Sequence, residues 1–589
     1  MDEANRRLGA REYALLTLLA AVLFGYATIS GKPLTMHEAR LPQLAREMLA
    51  AGQWLLPCSG ERPWLERPPF PLWVTLLVGH AAGALDQEWI VRIPPVLMGW
   101  LTLLVVGWSG ARLLGRKLGL LSAVALATMY EFYFYAGQAE DDIFLAFLAA
   151  ACIAFFVATE FPIEAPPDAR RHFLGNRPLT VWLFFIVLGA TSLAKGPLVG
   201  AVEILAAIGV FLLLGRDKTR LLRYVWLWGW LLFAALTVGW YLYAYQVYPS
   251  IWDNLKLDFA GTGRHQPFWD YLVNILWTTA PWTPFWILGL ILAWPAARRE
   301  RLSPQRFLWC WALVPLMVLS LPARKHHHYL VPILPAFAVL ASLGLERVGR
   351  WILRPDAKPL RPWGGLLVGL PGAAVIIALA LWHKIPGPLW VSGLLAAVFF
   401  ACSVVVGIGL ARRNGRWILV PILAGIAVAA GWGQSVAATS NKAKNEDLAF
   451  LARVGREVPP GAPLLVDARG ALEFFRQQFY LPEGTVPLQN FTFLRDSRIT
   501  APRVYVIGHE SARAFLSTLG EVQMVDQSPY VRRGQSSDDR YTLFLLTYRP
   551  DLQRYPAPQV SVTQGMGRAP GPYCGPPPGD EGKGSQSRP

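Results

Sequence analysis

The sequence predicts an α-helical polytopic membrane protein with about thirteen spans and a small α/β domain near its C-terminal end. Three observations predict it. Only 16% of the 589 residues are charged, against 54% hydrophobic, whereas a soluble chain carries about a quarter charged. Apolar runs recur through residues 1–438 at the ~20-residue length that crosses a bilayer. Basic residues gather in the short segments between those runs, the pattern that holds cytoplasmic loops in place.

The spans are expected at about 13–30, 90–111, 118–135, 143–161, 179–194, 197–214, 224–245, 271–294, 307–321, 329–345, 364–382, 389–410 and 417–438. The opening MDEANRRLGAREYALLTLLAAVLFG has no small-residue cleavage site after its apolar run, so it is expected to be an uncleaved first span. With the N-terminus inside, Arg112, Arg116 and Lys117 fall inside. So do Arg170 and Arg171, the Arg216–Arg223 cluster, Arg298–Arg301, Arg347–Arg354 and Arg412–Arg416. This holds only if PPFPLWVTLLVGHAAGAL (68–85) does not cross; it is expected to lie on the outer surface as an interfacial helix.

The net charge of +16 is accounted for by these loop residues, so no nucleic-acid partner is expected. The five cysteines form no C-x-x-C pair. Cys152, Cys310 and Cys402 sit in apolar runs and are expected to pack rather than react.

Beyond Ser440 the pattern changes. PLLVDA, RVYVIG, VQMVDQ and YTLFLLTY read as strands; NEDLAFLARVGREV and ALEFFRQQFY read as helices between them. The expected organisation is a transmembrane domain over 1–438, with outer juxtamembrane elements over 30–89, then an outer-face α/β domain over 439–555. The Gly-, Pro- and Ser-rich remainder, 556–589, is expected to be disordered.

In this topology the unusual ionisable residues gather on the outer side. They are His37, Glu38, Arg40, Glu66, Arg67, Glu140, Asp141, Asp142, Lys195, Arg264, His265 and Lys325 through Tyr329. Ionisable groups at the edge of the bilayer are costly, which suggests function. Asp141 also suits a helix cap, and Asp142 faces the start of the apolar run. Lys195 in LAKGPL could snorkel to the interface or bind an emerging lipid phosphate. The three histidines of KHHHY point in different directions along a chain, so one ion shared by all three is not expected. Lys325 and Tyr329, if helical, share a face at i and i+4 and could donate to a phosphate together. His265 with Glu66 could hold zinc, but two ligands alone make a weak site.

Taken in order, MHEARLPQLAREMLAAGQWLLP, LERPPF, DDIFLAF, LAKGP, RHQPFW and KHHHYLVPILP resemble the bacterial lipid A aminoarabinose transferases. More distantly they resemble the protein O-mannosyltransferases. Both are GT-C glycosyltransferases that use lipid-phosphate sugars, and the resemblance covers roughly residues 10–345. It implies a GT-C fold in a bacterial inner membrane. A polyprenyl (undecaprenyl) phosphate sugar would be the donor, and a lipid A-like lipid, a glycan or a protein the acceptor.

Position by position, the family's first outer-loop Asp is replaced by His37, followed by Glu38 and Arg40. Either Glu38 or His37 would take the missing acid's role, since an imidazole titrates near neutrality. Asp142 matches the second family acid. Glu66-Arg67-Pro68-Pro69 matches a Glu-Lys-Pro-Pro motif. Glu66 and His265 match positions that hold a divalent metal, zinc or similar. Lys195, Lys325 and Tyr329 match phosphate-facing positions, and Arg40 and Arg67 join them as donor-side cations. Two other readings stay open: a flippase or transporter of lipid-linked sugar, and a non-catalytic relative that binds it.

Overall fold

The computed structural model describes residues 6–29, 31–59, 62–65, 68–163, 177–196, 199–249, 251, 265–354, 389–440, 442–459, 462–467, 471–481, 486–488, 502–529 and 540–549. The chain is a multi-pass membrane protein. Among the described residues, five helices are long and apolar enough to cross a bilayer, or seven if two sharply bent pairs each count as one span. The expected span at 364–382 and the tail at 556–589 lie outside the described residues.

In chain order the first helices are α1 (Ala10–Leu23), α2 (Gly25–Ile29), α3 (Met36–Ala50), α4 (Phe70–Ala82) and α5 (Glu88–Leu114). Between α3 and α4, β1 (Cys58–Ser59) pairs antiparallel with β2 (Arg62–Pro63), a hairpin not expected from the sequence. Helix α4 coincides with the stretch expected to stay outside. Its 13 residues, at ~1.5 Å each, fall short of the ~30 Å hydrocarbon core. There follow α6 (Arg116–Ala127), α7 (Tyr130–Ala136), α8 (Asp142–Glu160), α9 (Leu179–Lys195), α10 (Val199–Gly215), α11 (Lys218–Tyr224) and α12 (Leu227–Val247). The last of the bundle are α13 (Asp270–Thr278), α14 (Thr283–Arg299), α15 (Pro304–Ser320), a 3₁₀ turn over His327–Ile333, α16 (Leu334–Ile352), α17 (Leu389–Ala411) and α18 (Gly415–Ser440).

Two spans expected to be continuous are broken. Helices α6 and α7 meet at 70°, and α13 and α14 at 111°. A break frees backbone groups that lipid cannot satisfy. Here the two breaks satisfy each other: Tyr130 N donates to the Ala280 carbonyl at 2.9 Å, and the Trp282 indole donates to Thr128 Oγ1 at 2.8 Å.

Basic residues from separate loops meet at one end of the bundle. Arg116 pairs with Glu12 at 2.7 Å, and Arg112 Nε donates to the Phe161 carbonyl at 2.9 Å. Glu160, at the end of α8, takes Arg223 at 2.5 Å and Arg220 at 3.4 Å. Arg306 reaches the Ala297 carbonyl at 2.6 Å. Among the described residues, the loops that carry Arg112, Arg116, Arg220 and Arg223 therefore share one end; Arg170 and Arg171 lie outside the described residues.

Helices α14 and α16 cross at bare backbone. A Cβ on Gly289 would lie 1.9 Å from the Leu340 carbonyl oxygen, and one on Gly344 would lie 2.1 Å from that of Phe285. Small residues allow such approach where helices pack in lipid.

After α18 come α19 (Lys442–Glu457), β3 (Leu464–Asp467), α20 (Ala471–Tyr480), β4 (Val486–Leu488), β5 (Arg503–His509), α21 (Arg513–Leu519), β6 (Gly520–Gln527) and β7 (Tyr541–Tyr548). The sheet order is β4-β3-β5-β7-β6, parallel from β4 to β5 and antiparallel beyond. The four strands expected from sequence fall at β3, β5, β6 and β7; β4 was not among them. Strand β7, paired on both sides, is mostly buried, while edge strand β6 is largely exposed.

This sheet domain is latched to α3 through α20. Arg46 donates to the Gln478 and Phe479 carbonyls at 2.8 and 3.1 Å. Arg476 donates to the Leu34 carbonyl at 3.0 Å. The Tyr480 hydroxyl accepts from Leu34 N at 2.8 Å and donates to Glu88 at 3.0 Å.

The crossing of α14 and α16 has a direct test. Gly289→Val is expected to abolish recovery of folded protein from detergent, because backbone rather than a flexible side chain stands in the way. Gly349→Ala, with open space around its Cβ, is expected to melt at or slightly above wild type, since Ala is favoured over Gly by ~1 kcal/mol in a helix.

Candidate active site at the outer end of the bundle

The end opposite the arginine loops carries the sequence-predicted site residues. Helix α3 begins with Thr35 as its cap: Glu38 N donates to Thr35 Oγ1 at 3.1 Å, and Thr35 N donates to Glu38 Oε2 at 3.0 Å. This reciprocal capping box satisfies two amides that the first turn would leave without partners. Glu38 is fully buried and also takes Arg92 Nε at 3.1 Å. Arg92 in turn donates to the Lys32 carbonyl at 2.7 Å. With its amide turned to suit these neighbours, Gln138 donates to both Glu38 oxygens at 3.0 Å and accepts from Lys32 Nζ at 3.2 Å. Glu38 is thus committed to holding α3 against α5, which is where the structure departs from its expected catalytic role. None of the hydrogen bonds above involves His37, the neighbouring candidate. His37 is exposed; desolvation, then Arg40 and His326, hold its imidazole below the ordinary value and hence neutral near pH 7.

Helix α8 starts at the centre of the cluster. Asp141 makes no side-chain cap; it accepts from Arg40 Nη2 at 2.7 Å instead. Arg40 therefore reaches the site by way of a carboxylate. Asp142 pairs with Lys195, the last residue of α9. That helix stops there because Gly196 takes a φ of 136°, a region favouring glycine. Both charges are almost wholly enclosed, at 4% and 8% exposure. The Lys195 ammonium also lies 3.9 Å from the centre of the Tyr329 ring, an attractive placement over the negative ring face.

Lys325 and Tyr329 do not share a helical face. Lys325 precedes the 3₁₀ turn in extended chain, and its Nζ donates to the Pro322 and Gln266 carbonyls at 2.6 and 3.3 Å. Prolines at 322 and 332 bracket the segment, and proline disfavours a helix running through it. The three histidines do diverge. His327 Nδ1 meets Glu131 at 2.5 Å, while His328 Nε2 stands 4.0 Å from Asp142 Oδ2 and stacks on His326 at 5.2 Å.

Glu66 and Arg67 lie outside the described residues, so their expected places at metal and phosphate do too. His265 is exposed. Among the described residues no group of three or more His, Cys, Asp or Glu side chains is arranged to hold a metal. One exposed imidazole does not constitute a zinc site, and no step below is routed through a metal.

Five residues of this end were not singled out from the sequence: Lys32, Arg92, Glu131, Gln138 and Glu203. Each charged one has a signal, because each stands in or beside an apolar run, where an ionisable residue calls for a partner.

With this geometry in place, three comparisons bear on the chain. A family model described as dolichyl-phosphate-mannose-protein mannosyltransferase matches residues 35–255, from the capping Thr35 to beyond α12. An undecaprenyl phosphate-alpha-4-amino-4-deoxy-L-arabinose arabinosyl transferase of Erwinia tasmaniensis is 28% identical over 408 residues, covering 66% of this chain and 69% of its own length. That of Edwardsiella ictaluri is 28% identical over 440 residues, covering 70% and 74%. This chain is similar to these aminoarabinose transferases over about two thirds of its length. The crystal structure of ArnT from Cupriavidus metallidurans bound to undecaprenyl phosphate superposes with a TM-score of 0.70 at 19% identity, covering 93% of this chain and 99% of that one. Its apo form gives 0.68 at 20%. The GT-C fold is therefore shared with that structure over nearly the whole length of both chains.

Two measurements follow from the electrostatics of this end. The Glu140 carboxyl is pushed up to about 8, first by burial, then by Asp142, Glu38 and Asp141, with Arg40 opposing. Its folded value exceeds its unfolded one, so the folded state retains a proton that the unfolded state releases. Stability from this group is present below about pH 4.5 and is lost as pH rises towards 8. Glu140→Gln is expected to flatten that decline by about 1–3 kcal/mol, after a discount for solvent screening, read as melting temperature in detergent from pH 5 to 8.5. Arg92→Met leaves Glu38 buried without its cation and is expected to cost about 3–5 kcal/mol; an unchanged melting temperature would refute the structural role given to this pair.

Proposed function

We propose that this chain transfers a sugar from a polyprenyl phosphate donor to an acceptor at the outer face of a bacterial inner membrane. The observation that carries this reading is the enclosed group of Asp142, Lys195 and Tyr329 at the outer end of the bundle. It couples a carboxylate that can accept a proton to a cation that can receive a phosphate. The relatives named above are transferases of an undecaprenyl phosphate-linked amino sugar, and the structural neighbour holds undecaprenyl phosphate, which supports the donor class.

In this reading the lipid phosphate comes to Lys195, with the Tyr329 hydroxyl and Lys325 on the same side. The acceptor oxygen attacks the anomeric carbon. The carbon–oxygen bond to phosphate breaks, and its electron pair stays on the phosphate oxygen, where Lys195 stabilises the added charge. The acceptor's proton passes to Asp142, or to the neutral His37 or His328 beside it. Arg40 fixes the start of α8 through Asp141, which keeps Asp142 in place. The acceptor is a lipid A-like lipid, a glycan or a protein, and the α/β domain stands on the same outer face. A divalent metal, zinc or similar, between Glu66 and His265 is compatible with the reading and takes no part in these steps.

Membranes supplied with labelled undecaprenyl phosphate sugars test it. Asp142→Asn is expected to lower transfer by about 100-fold or more, and Lys195→Met to raise the donor KM. Equal transfer by wild type and Asp142→Asn would sink the assignment. Movement of labelled lipid across proteoliposomes without bond cleavage would favour a transporter.

A further inference from the structure

One buried acid of this end has no role in the steps above. Glu131 lies in α7 and is 1% exposed. A carboxylate enclosed to this degree is costly unless something pairs with it. Among the described residues its side chain has one partner, Nδ1 of His327, at 2.5 Å. An imidazole that faces a carboxylate carries a proton on that nitrogen, so Glu131 sets which edge of the ring is spent and which is left. The side chain of His327 is 47% exposed, and among the described residues its Nε2 makes no hydrogen bond.

The neighbours of His327 say what that edge meets. A row of side chains starts at Lys195, 3.9 Å from the centre of the Tyr329 ring. Ring centres then follow at 4.8 Å to His328, 5.6 Å to His327, 5.4 Å to Trp277 and 5.7 Å to Tyr130. The far end of the row is open, with Trp277 40% exposed and Tyr130 52%. It is also held in place. The Trp277 indole donates to Asn274 Oδ1 at 3.0 Å, and Asn274 Nδ2 donates to Asp270 at 2.8 Å. Tyr130 is fixed at its backbone by the bond to Ala280 that joins the two helix breaks. The breaks thus set two exposed rings, from α7 and α13, beside one hydrogen-bonding imidazole.

That combination suits a sugar, whose C–H face rests on an aromatic ring while its hydroxyls bond at the rim. Its place suits the acceptor rather than the donor. An entering oxygen must approach the anomeric carbon from the side away from the leaving phosphate. His327 is separated from Lys195 by two rings, Tyr329 and His328, and His328 Nε2 is 4.0 Å from Asp142 Oδ2. We propose that His327, fixed by Glu131, forms with the Trp277 and Tyr130 rings the subsite that takes the saccharide head of the acceptor. The proposal rests on the transfer reading above. His327 Nε2 accepts a hydrogen bond from an acceptor hydroxyl, and Glu131 is a positioning residue that acts through His327.

Initial rates separate this role from one in holding the donor side. Full-length protein in nanodiscs is given a labelled undecaprenyl phosphate sugar as donor and lipid A as acceptor, each varied in turn. Trp277→Leu and His327→Phe are expected to raise the lipid A KM about ten-fold and to leave the donor KM within about two-fold of wild type. His327→Phe strands Glu131, so the double variant His327→Phe with Glu131→Leu should show the same split where the single one folds poorly. Trp277→Phe should return the lipid A KM towards wild type. Glu131→Gln, which still accepts from Nδ1, should lie between. A lipid A KM within about two-fold of wild type in folded variants, or a donor KM that rises alongside it, overturns the proposal. Wild type is also titrated with lipid A in the absence of donor. No binding overturns the proposal; binding that these variants weaken, without any cleavage of donor, means that the transfer reading has failed and the saccharide subsite has not.

Discussion

The pairing of Asp142 with Lys195 organises the outer end of this protein. Either charge alone, enclosed among apolar helices, would cost several kcal/mol. Each is held by a helix terminus that the sequence sets firmly. Asp142 opens α8, where the helix dipole favours an acid, and Lys195 closes α9, where it favours a base. The two helices run antiparallel, so these ends meet at one level. Tyr329 then covers the ammonium, and His328 approaches the carboxylate from the 3₁₀ turn. The two charges satisfy each other within this enclosed seam.

The same principle recurs at the other end with a different outcome. Glu160 is enclosed by Arg223, Arg220 and the Tyr224 hydroxyl, which donates to it at 3.2 Å. This joins the end of α8 to α11 without leaving a donor for a substrate. One helix thus carries an exchangeable ion pair at its outer end and a closed network at its inner end. The difference lies in the number of partners: one principal cation at Asp142, two guanidinium groups and a hydroxyl at Glu160.

Much of this was legible in the sequence. Apolar runs and loop arginines placed the helices, and the contacts of Arg112, Arg116 and Arg223 put those loops at one end. Asp142 and Lys195 stood out because each interrupts the boundary of a run. The helix breaks at Thr128 and Pro281 were not legible, since hydropathy continues through both and the compensating contacts are between helices. The spacing of Lys325 and Tyr329 suits a helix face, but Pro322 and Pro332 disfavour a helix running through the segment and leave a 3₁₀ turn. Glu38 illustrates a signal present but outweighed: Thr35-Met36-His37-Glu38 is a capping-box pattern, yet an acid beside a membrane suggests catalysis first. Arg92 and Glu203 are hard to read from sequence because each lies inside a run apolar enough to look complete. Three-residue β4 is too short to display any period.

The latch between α20 and α3 has a bearing on how this chain can vary. Arg46, Arg476 and Tyr480 hold backbone groups and each other's neighbours across two segments more than 400 positions apart. The helix they grip is the one that carries His37 and Arg40. The outer domain and the first outer helix are consequently one inheritable unit, despite lying near opposite ends of the gene product. A chimera that exchanges the outer domain alone would inherit a foreign grip on the site; one that exchanges 34–50 together with 471–481 would keep it.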